Sequence, residues 1–176
     1  DIKVPSSIQT IKDADGNFKY EKPIYVNQRY PWQNYENVSL GANVTAPTVN
    51  NSVGQYKRTF TVPSDWDGRD VFVSFEGVES AFYLYVNGQR VGYGEDSYTT
   101  DEFNITSYLK KGENTIAVEV YRWSTGSYLE NQDFIRMSGI FRDVNLYSKA
   151  KVEMRDLFVK TELDDKYKDA TLTLDA

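Results

Sequence analysis

Apolar and polar residues alternate along the middle of the chain, a pattern typical of strands with one buried face. Runs of this kind recur about every ten residues and are separated by turn-forming residues. The spacing predicts an all-β domain, a sandwich or jelly roll. The side chains on the expected inner faces are Tyr56, Arg58, Phe60 and Val62; Val71, Val73 and Phe75; Phe82, Leu84 and Val86; and Ile116, Val118 and Val120.

Asn87-Gly88 divides two of these runs and predicts a tight hairpin. Both residues tolerate positive φ, which a two-residue type I′ turn requires. Outside the strands, a short helical turn after Asp101 is the one place where the pattern allows a helix. We therefore expect a fold that is almost entirely β.

The two ends of the chain differ from the middle. Residues 1–50 are irregular and predict a loop-rich entry segment. Beyond Tyr147 the chain is more charged, with strand-like pieces at 154–163 and 170–175. The pattern predicts a first domain at 1–149 and the first strands of a second, incomplete domain at 150–176.

Composition narrows the classes of function. The 176 residues suffice for one ordinary core but not for a barrel enzyme, and the formal net charge is -6. No basic stripe offers a nucleic-acid site, and no apolar stretch is long enough to span a bilayer. We expect a soluble chain without a targeting segment and without nucleic acid as a partner.

The chain contains no Cys and no His. Disulfides, thiolate nucleophiles, imidazole bases and zinc sites of the usual kinds are therefore excluded. Any chemistry must rest on carboxylates, Lys or Tyr.

Several stretches of the chain form distinctive motifs. They are Pro23-Ile24-Tyr25-Val26-Asn27 with Tyr30-Pro31-Trp32; Val53-Gly54-Gln55-Tyr56; Phe75-Glu76-Gly77-Val78-Glu79-Ser80-Ala81; Val86-Asn87-Gly88; Tyr121-Arg122-Trp123-Ser124-Thr125-Gly126-Ser127-Tyr128-Leu129-Glu130-Asn131-Gln132-Asp133; and Arg136-Met137-Ser138-Gly139-Ile140-Phe141-Arg142-Asp143-Val144. Together these motifs resemble the β-galactosidases of glycoside hydrolase family two. One feature departs from the family pattern: Ile135 stands where many members carry Trp.

The resemblance implies a galactose-binding-like jelly roll followed by the start of an immunoglobulin-like sandwich, with the active site on a separate barrel. The parent would hydrolyse terminal β-D-galactosides such as lactose with retention. It would bind magnesium in its barrel, and it could be homo-oligomeric. The chain alone, which would pair with the remaining domains of that parent, is expected to be inactive. A free-standing carbohydrate-binding module is the alternative, and a purely structural or assembly domain is a third possibility.

Two site residues are implied by the resemblance. Asn51 resembles an Asn that hydrogen-bonds galactose hydroxyls, and Asp133 resembles an Asp that contacts both the sugar and a sodium ion, in a site that the barrel completes. Each also has a plainer interpretation. Asn51 lies in good turn sequence, and Asp133 could be a turn carboxylate paired with Arg136 or Arg142.

Other residues invite a role that we do not expect them to have. Glu130 and Asp133 suggest the carboxylate pair of a retaining glycosidase, but the resemblance puts both catalytic Glu residues on the barrel. Arg142 and Asp143 predict a buried or interdomain ion pair. The three tryptophans could stack on sugar rings, but burial in the sandwich is the expected role for most of them: Trp32, Trp66 and Trp123.

Overall fold

Thirteen short strands make up the fold in the computed structural model, which describes residues 1–26, 45–130 and 132–176. Within those ranges the helical elements are all 3-10 turns of three residues. The strands are β1 Ile24–Val26, β2 Val53–Thr61, β3 Asp70–Phe75, β4 Val78–Glu79, β5 Ala81–Val86, β6 Gln89–Glu95, β7 Asp101–Asn104, β8 Glu113–Tyr121, β9 Phe134–Arg136, β10 Gly139–Ile140, β11 Val144–Lys149, β12 Phe158–Leu163 and β13 Ala170–Asp175.

Two antiparallel sheets form the sandwich. One has four strands in the order β2-β8-β5-β6, and the other has three in the order β11-β3-β7. Two short pairs, β4 with β10 and β1 with β9, lie outside these sheets. The predicted all-β sandwich is therefore confirmed.

The core lies between the two sheets because the alternating apolar residues of both face inward. Phe75 of the smaller sheet contacts Phe82 of the larger one, with ring centroids 4.8 Å apart. Phe103 meets both rings edge-on. The alternation predicted for β3, β5 and β8 is present, and the buried apolar members of these strands are Val71, Val73, Phe75, Ala81, Phe82, Leu84, Val86, Val118 and Val120.

The predicted hairpin is present between β5 and β6. Asn87 and Gly88 have φ of 51° and 80°, the left-handed values that a type I′ turn needs, and Val86 pairs with Gln89 directly across it. A 3-10 turn at Thr106–Tyr108 comes after β7, in the region where a short helical turn is expected.

Buried hydrogen bonds and an ion pair hold the entry segment against the sandwich. The Gln9 side chain is 1% exposed; its Oε1 accepts the Ser138 N–H, and its Nε2 donates to Ser138 Oγ and Glu21. Glu21 also pairs with the buried Arg122 at 2.8 Å. Gly139, at φ 125°, lets the backbone at Ser6 approach closely, because an added Cβ would lie 3.0 Å from the Ser6 carbonyl oxygen.

Beyond β11 the chain forms a separate hairpin of β12 and β13, with Phe158 opposite Asp175. Every residue from 150 to 176 is exposed. Both predicted strand pieces are thus present: the first begins four residues later than predicted, at Phe158, and the second has the predicted bounds. The domain boundary near residue 149 and the immunoglobulin-like nature of the segment beyond it stay predictions.

Candidate functional site

Residues 122–133, here called the site loop, connect β8 to β9 and contain the 3-10 turn Gly126–Tyr128. Asp133 ends this loop, directly before β9. Asn51 lies just before β2, the strand that pairs with β8. The pairing of Val53 with Tyr121 brings Asn51 close to Trp123 at the start of the site loop.

Asn51 uses both ends of its amide on backbone groups. Its Oδ1 accepts the Trp123 N–H at 2.9 Å. Its Nδ2 donates to the Trp123 carbonyl at 2.9 Å and to the Pro47 carbonyl at 3.2 Å. The Asn51 side chain thus extends the hydrogen bonding between β2 and β8 beyond the last paired residues. This favours the plainer interpretation, a structural role for Asn51. Contact with a sugar stays a prediction.

Replacing Asn51 with alanine should lower the free energy of unfolding by about 2 kcal/mol, because it removes three hydrogen bonds to backbone groups, two of them with Trp123. Trp123 is 3% exposed, so water would replace the lost partners poorly. Urea unfolding followed by tryptophan fluorescence measures the change. Gln55→Ala, on the exposed face of β2, is the control and should change stability little. Unchanged stability of Asn51→Ala with a loss of sugar affinity would favour the sugar-binding role instead.

Two carboxylates attach the site loop to β6 and to the turn that follows it. Glu95 of β6 accepts the Thr125 hydroxyl at 2.6 Å and the Gly126 N–H. Glu130 of the loop accepts the N–H and hydroxyl of Ser97, at 2.8 and 2.7 Å. Ser97 is completely buried. Because both oxygens of Glu130 are engaged, its geometry agrees with the expectation that it is not a catalytic group.

Electrostatics at Glu95 support this attachment. Burial alone would raise its pKa, but hydrogen bonds from Thr125, Tyr93 and the Gly126 N–H hold the pKa of Glu95 below its usual value. The charged form therefore persists at neutral pH. A charged acceptor strengthens the bonds that hold the loop.

Arg136 of β9 supports the site loop from the buried side. Its side chain is 2% exposed and donates to the carbonyl oxygens of Glu130 and Gln132, the latter at 2.9 Å. The guanidinium also lies 4.1 Å from the ring centroid of Phe134. The hydrogen bonds from the Arg136 guanidinium to these carbonyls fix the path of the backbone that leads to Asp133.

Glu79 lies beneath the same loop. Burial and the nearby charge of Glu130 raise the pKa of Glu79 to about 7, although Arg136, the Met137 N–H and Arg122 act in the other direction. Near neutral pH this carboxyl is therefore partly protonated.

Asp133 has an exposed carboxylate, and its Oδ1 accepts a hydrogen bond from the Tyr25 hydroxyl. Tyr25 belongs to β1, which pairs with β9. The plainer interpretation of Asp133 named Arg136 and Arg142 as partners. Arg136 instead binds backbone carbonyls of the site loop, and Arg142 donates to the carbonyls of Glu76 and Tyr98.

Two other sequence predictions have clear outcomes. Trp123 is buried and Trp66 packs against the core, as expected, whereas Trp32 falls outside the described residues. Arg142 and Asp143 are both exposed, so the prediction of a buried ion pair is wrong. The reason is that Arg142 reaches across to backbone carbonyls at the sandwich edge. An interdomain pair stays a prediction.

Sequence reasoning missed the residues that support the loop. Glu95 and Tyr25 lie 38 and 108 positions from Asp133 along the chain, so no local spacing points to them. The sequence suggested Arg136 only as an ion-pair partner of Asp133, not as a donor to the loop backbone, and Glu79 only as part of a family motif. Only strand pairing places these side chains around one loop.

Within residues 1–26, 45–130 and 132–176, no three His, Cys, Asp or Glu side chains converge as a metal site. The same ranges hold no helix of the length and apolarity that a membrane crossing demands.

The chain is a β-sandwich domain in which the site loop exposes a carboxylate at the edge of the sandwich. A polar loop on a rigid scaffold of this kind is suited to binding small polar ligands. Residues 1–150 match the family described as "Glycosyl hydrolases family 2, sugar binding domain". The chain belongs to this family.

Curated relatives agree with the family match. A β-galactosidase of Priestia megaterium is 57% identical over 157 residues, which cover 89% of this chain and 15% of that protein. A β-galactosidase of Clostridium acetobutylicum is 45% identical over 174 residues, 97% of this chain and 18% of that protein. The chain thus spans less than a fifth of the length of these relatives.

Solved structures share the fold. A Bacteroides uniformis β-glucuronidase superposes with a TM-score of 0.60 at 28% identity, covering 70% of this chain and 16% of that one. A β-glycosidase from Bacteroides vulgatus gives 0.57 at 31% identity, covering 69% and 16%. The fold is therefore shared with part of a β-glucuronidase and part of a β-glycosidase.

Proposed function

We infer that this chain is the sugar-binding N-terminal part of a longer, retaining β-galactosidase that releases terminal β-D-galactose from substrates such as lactose. The observation that carries the proposal is the family match over residues 1–150 together with the β-galactosidase relatives, which match over about nine tenths or more of the chain. Those relatives are several times longer, which favours part of an enzyme over a free-standing binding module.

Within such an enzyme the chain's contribution is binding and orientation. Asp133, exposed at the end of a braced loop, accepts hydrogen bonds from sugar hydroxyls. The catalytic carboxylates and the magnesium ion belong to the barrel. Homo-oligomer formation by the parent stays a prediction.

Asp133 also fits a role as one ligand of a sodium ion. A carboxylate oxygen is a hard donor suited to a hard cation, and the carboxylate of Asp133 is open to solvent. We propose that the barrel supplies the remaining ligands. Bound there, the ion would supply positive charge that holds sugar oxygens in place.

Replacing Asp133 with alanine in the longer enzyme tests the proposal. We expect kcat/KM for an aryl β-galactoside to fall about tenfold or more, because the variant loses a charged hydrogen-bond acceptor for the sugar. The response of activity to sodium concentration should be lost as well.

Glu113→Ala, an exposed carboxylate at the start of β8, is the matched control and should leave both quantities unchanged. An active Asp133→Ala enzyme with normal sodium dependence would mean that Asp133 is structural. That result would favour the third possibility, a structural or assembly domain.

A further inference from the structure

Strand register places Tyr25 beside Asp133. In the β1–β9 pair, Tyr25 lies opposite Ile135 and Val26 opposite Phe134. Asp133 precedes Ile135 by two residues, so it lies on the same face as Ile135, diagonal to Tyr25. Diagonal neighbours on one face are within reach of a long aromatic side chain.

The Tyr25 hydroxyl uses this position to donate to Asp133 Oδ1. Tyr25 is 62% exposed and Ile135, its partner across the strands, is 51% exposed. The side chain of Tyr25 is therefore largely open to solvent. The polar end of the side chain is the part with a specific contact to the candidate site.

Asp133 is thus restrained from two sides. Arg136 holds the backbone carbonyls of Glu130 and Gln132 on the buried side. Tyr25 holds the carboxylate itself on the exposed side. The backbone contacts fix where the residue lies, and within the described residues the Tyr25 hydroxyl is the group that contacts its carboxylate.

We propose that Tyr25 is a positioning residue that orients the Asp133 carboxylate, so that Oδ2 is directed to a galactose hydroxyl and an alkali cation. This role rests on the proposed function of Asp133. The hydrogen bond from the Tyr25 hydroxyl to Oδ1 restricts rotation of the Asp133 carboxylate before the sugar or the cation binds. Binding then has less conformational entropy to lose. A hydrogen bond to a charged acceptor is strong enough for this purpose.

The physical consequence is a separation of kinetic effects. Loss of orientation weakens binding of sugar and sodium, whereas the catalytic groups on the barrel are untouched. We therefore expect Tyr25 to act on KM and on the sodium concentration giving half-maximal activity, with kcat changing less.

The experiment compares the full-length enzyme with its Tyr25→Phe variant on an aryl β-galactoside across a sodium titration. We expect KM and the sodium midpoint each to rise about fivefold, with kcat within about twofold of wild type. Tyr85→Phe is the matched control, because the Tyr85 hydroxyl also donates to a carboxylate, Oε2 of Glu119 at 3.2 Å. It should leave KM and the sodium midpoint unchanged.

A second arm places Tyr25→Phe in an Asp133→Ala background. If Tyr25 acts through Asp133, the second change has no further effect on KM or on sodium. Equal effects in both backgrounds would overturn the positioning role. So would a silent Tyr25→Phe variant beside an impaired Asp133→Ala variant, a result that leaves the proposed function standing. A silent Asp133→Ala variant would remove the proposed role of Asp133 and this inference with it.

Discussion

Replacing Arg136 with alanine is expected to lower the free energy of unfolding by about 3–5 kcal/mol. The side chain is 2% exposed, and its removal strips the carbonyls of Glu130 and Gln132 of a charged donor. It also removes the cation that most favours the charged form of the Glu79 carboxyl. The loss of the contact between the guanidinium and the Phe134 ring adds to the cost. Urea unfolding of the 176-residue chain at pH 7 measures the effect.

Arg142→Ala provides the matched control. Arg142 also donates to two backbone carbonyls, those of Glu76 and Tyr98, but its side chain is exposed. Water can replace an exposed donor, so the expected loss is below about 1 kcal/mol. Equal losses of unfolding free energy in the two variants would show that the burial of Arg136 does not increase its contribution to stability.

The second large effect is a pH-dependent stabilisation by Glu79→Gln. The pKa of Glu79 is raised from 4.5 to about 7 in the folded chain, so the folded state binds its proton more tightly than the unfolded state. The contribution of Glu79 to wild-type stability therefore falls as pH rises from about 4.5 to 7, and the full cost persists at higher pH. Gln is neutral and keeps an acceptor for the Met137 N–H. The variant should match wild type near pH 4 and exceed it by about 1–3 kcal/mol at pH 8.

Glu76→Gln should show the opposite sign. Hydrogen bonds from Ser74, Thr100 and Asn145 lower the pKa of Glu76, so its charged form stabilises the fold above the unfolded pKa. The variant should be less stable than wild type at neutral pH and should approach it as pH falls. Chemical unfolding at several pH values distinguishes the two glutamates, and a Glu79→Gln curve parallel to wild type would contradict the assignment.

The Arg136 and Glu79 predictions are coupled. In the Glu79→Gln background, removal of Arg136 does not leave a buried carboxylate without a cation. The double variant Glu79→Gln/Arg136→Ala should therefore be more stable than the sum of the two single changes implies. Strict additivity would mean that the two side chains do not interact across the base of the loop.

The sequence alone was enough for the fold class and for the main alternating strands, but not for short strands such as β4, β9 and β10. Alternation in β3, β5 and β8, and Asn87-Gly88 between β5 and β6, depend on neighbours within a few residues, and a strand with one buried face has to keep that period. The same local logic failed for Arg142 and Asp143. Adjacent residues of opposite charge need not pair when a backbone carbonyl elsewhere is within reach.

The sequence, through its motifs, also picked out Asp133 and Asn51 as candidate site residues. Tertiary structure decided what surrounds them. Pairing of β2 with β8 turns Asn51 toward the Trp123 backbone, and pairing of β1 with β9 brings Tyr25 to Asp133 from 108 residues away. Such contacts join segments whose separation along the chain carries no periodic signal. Only the register of the folded sheets determines which of them meet.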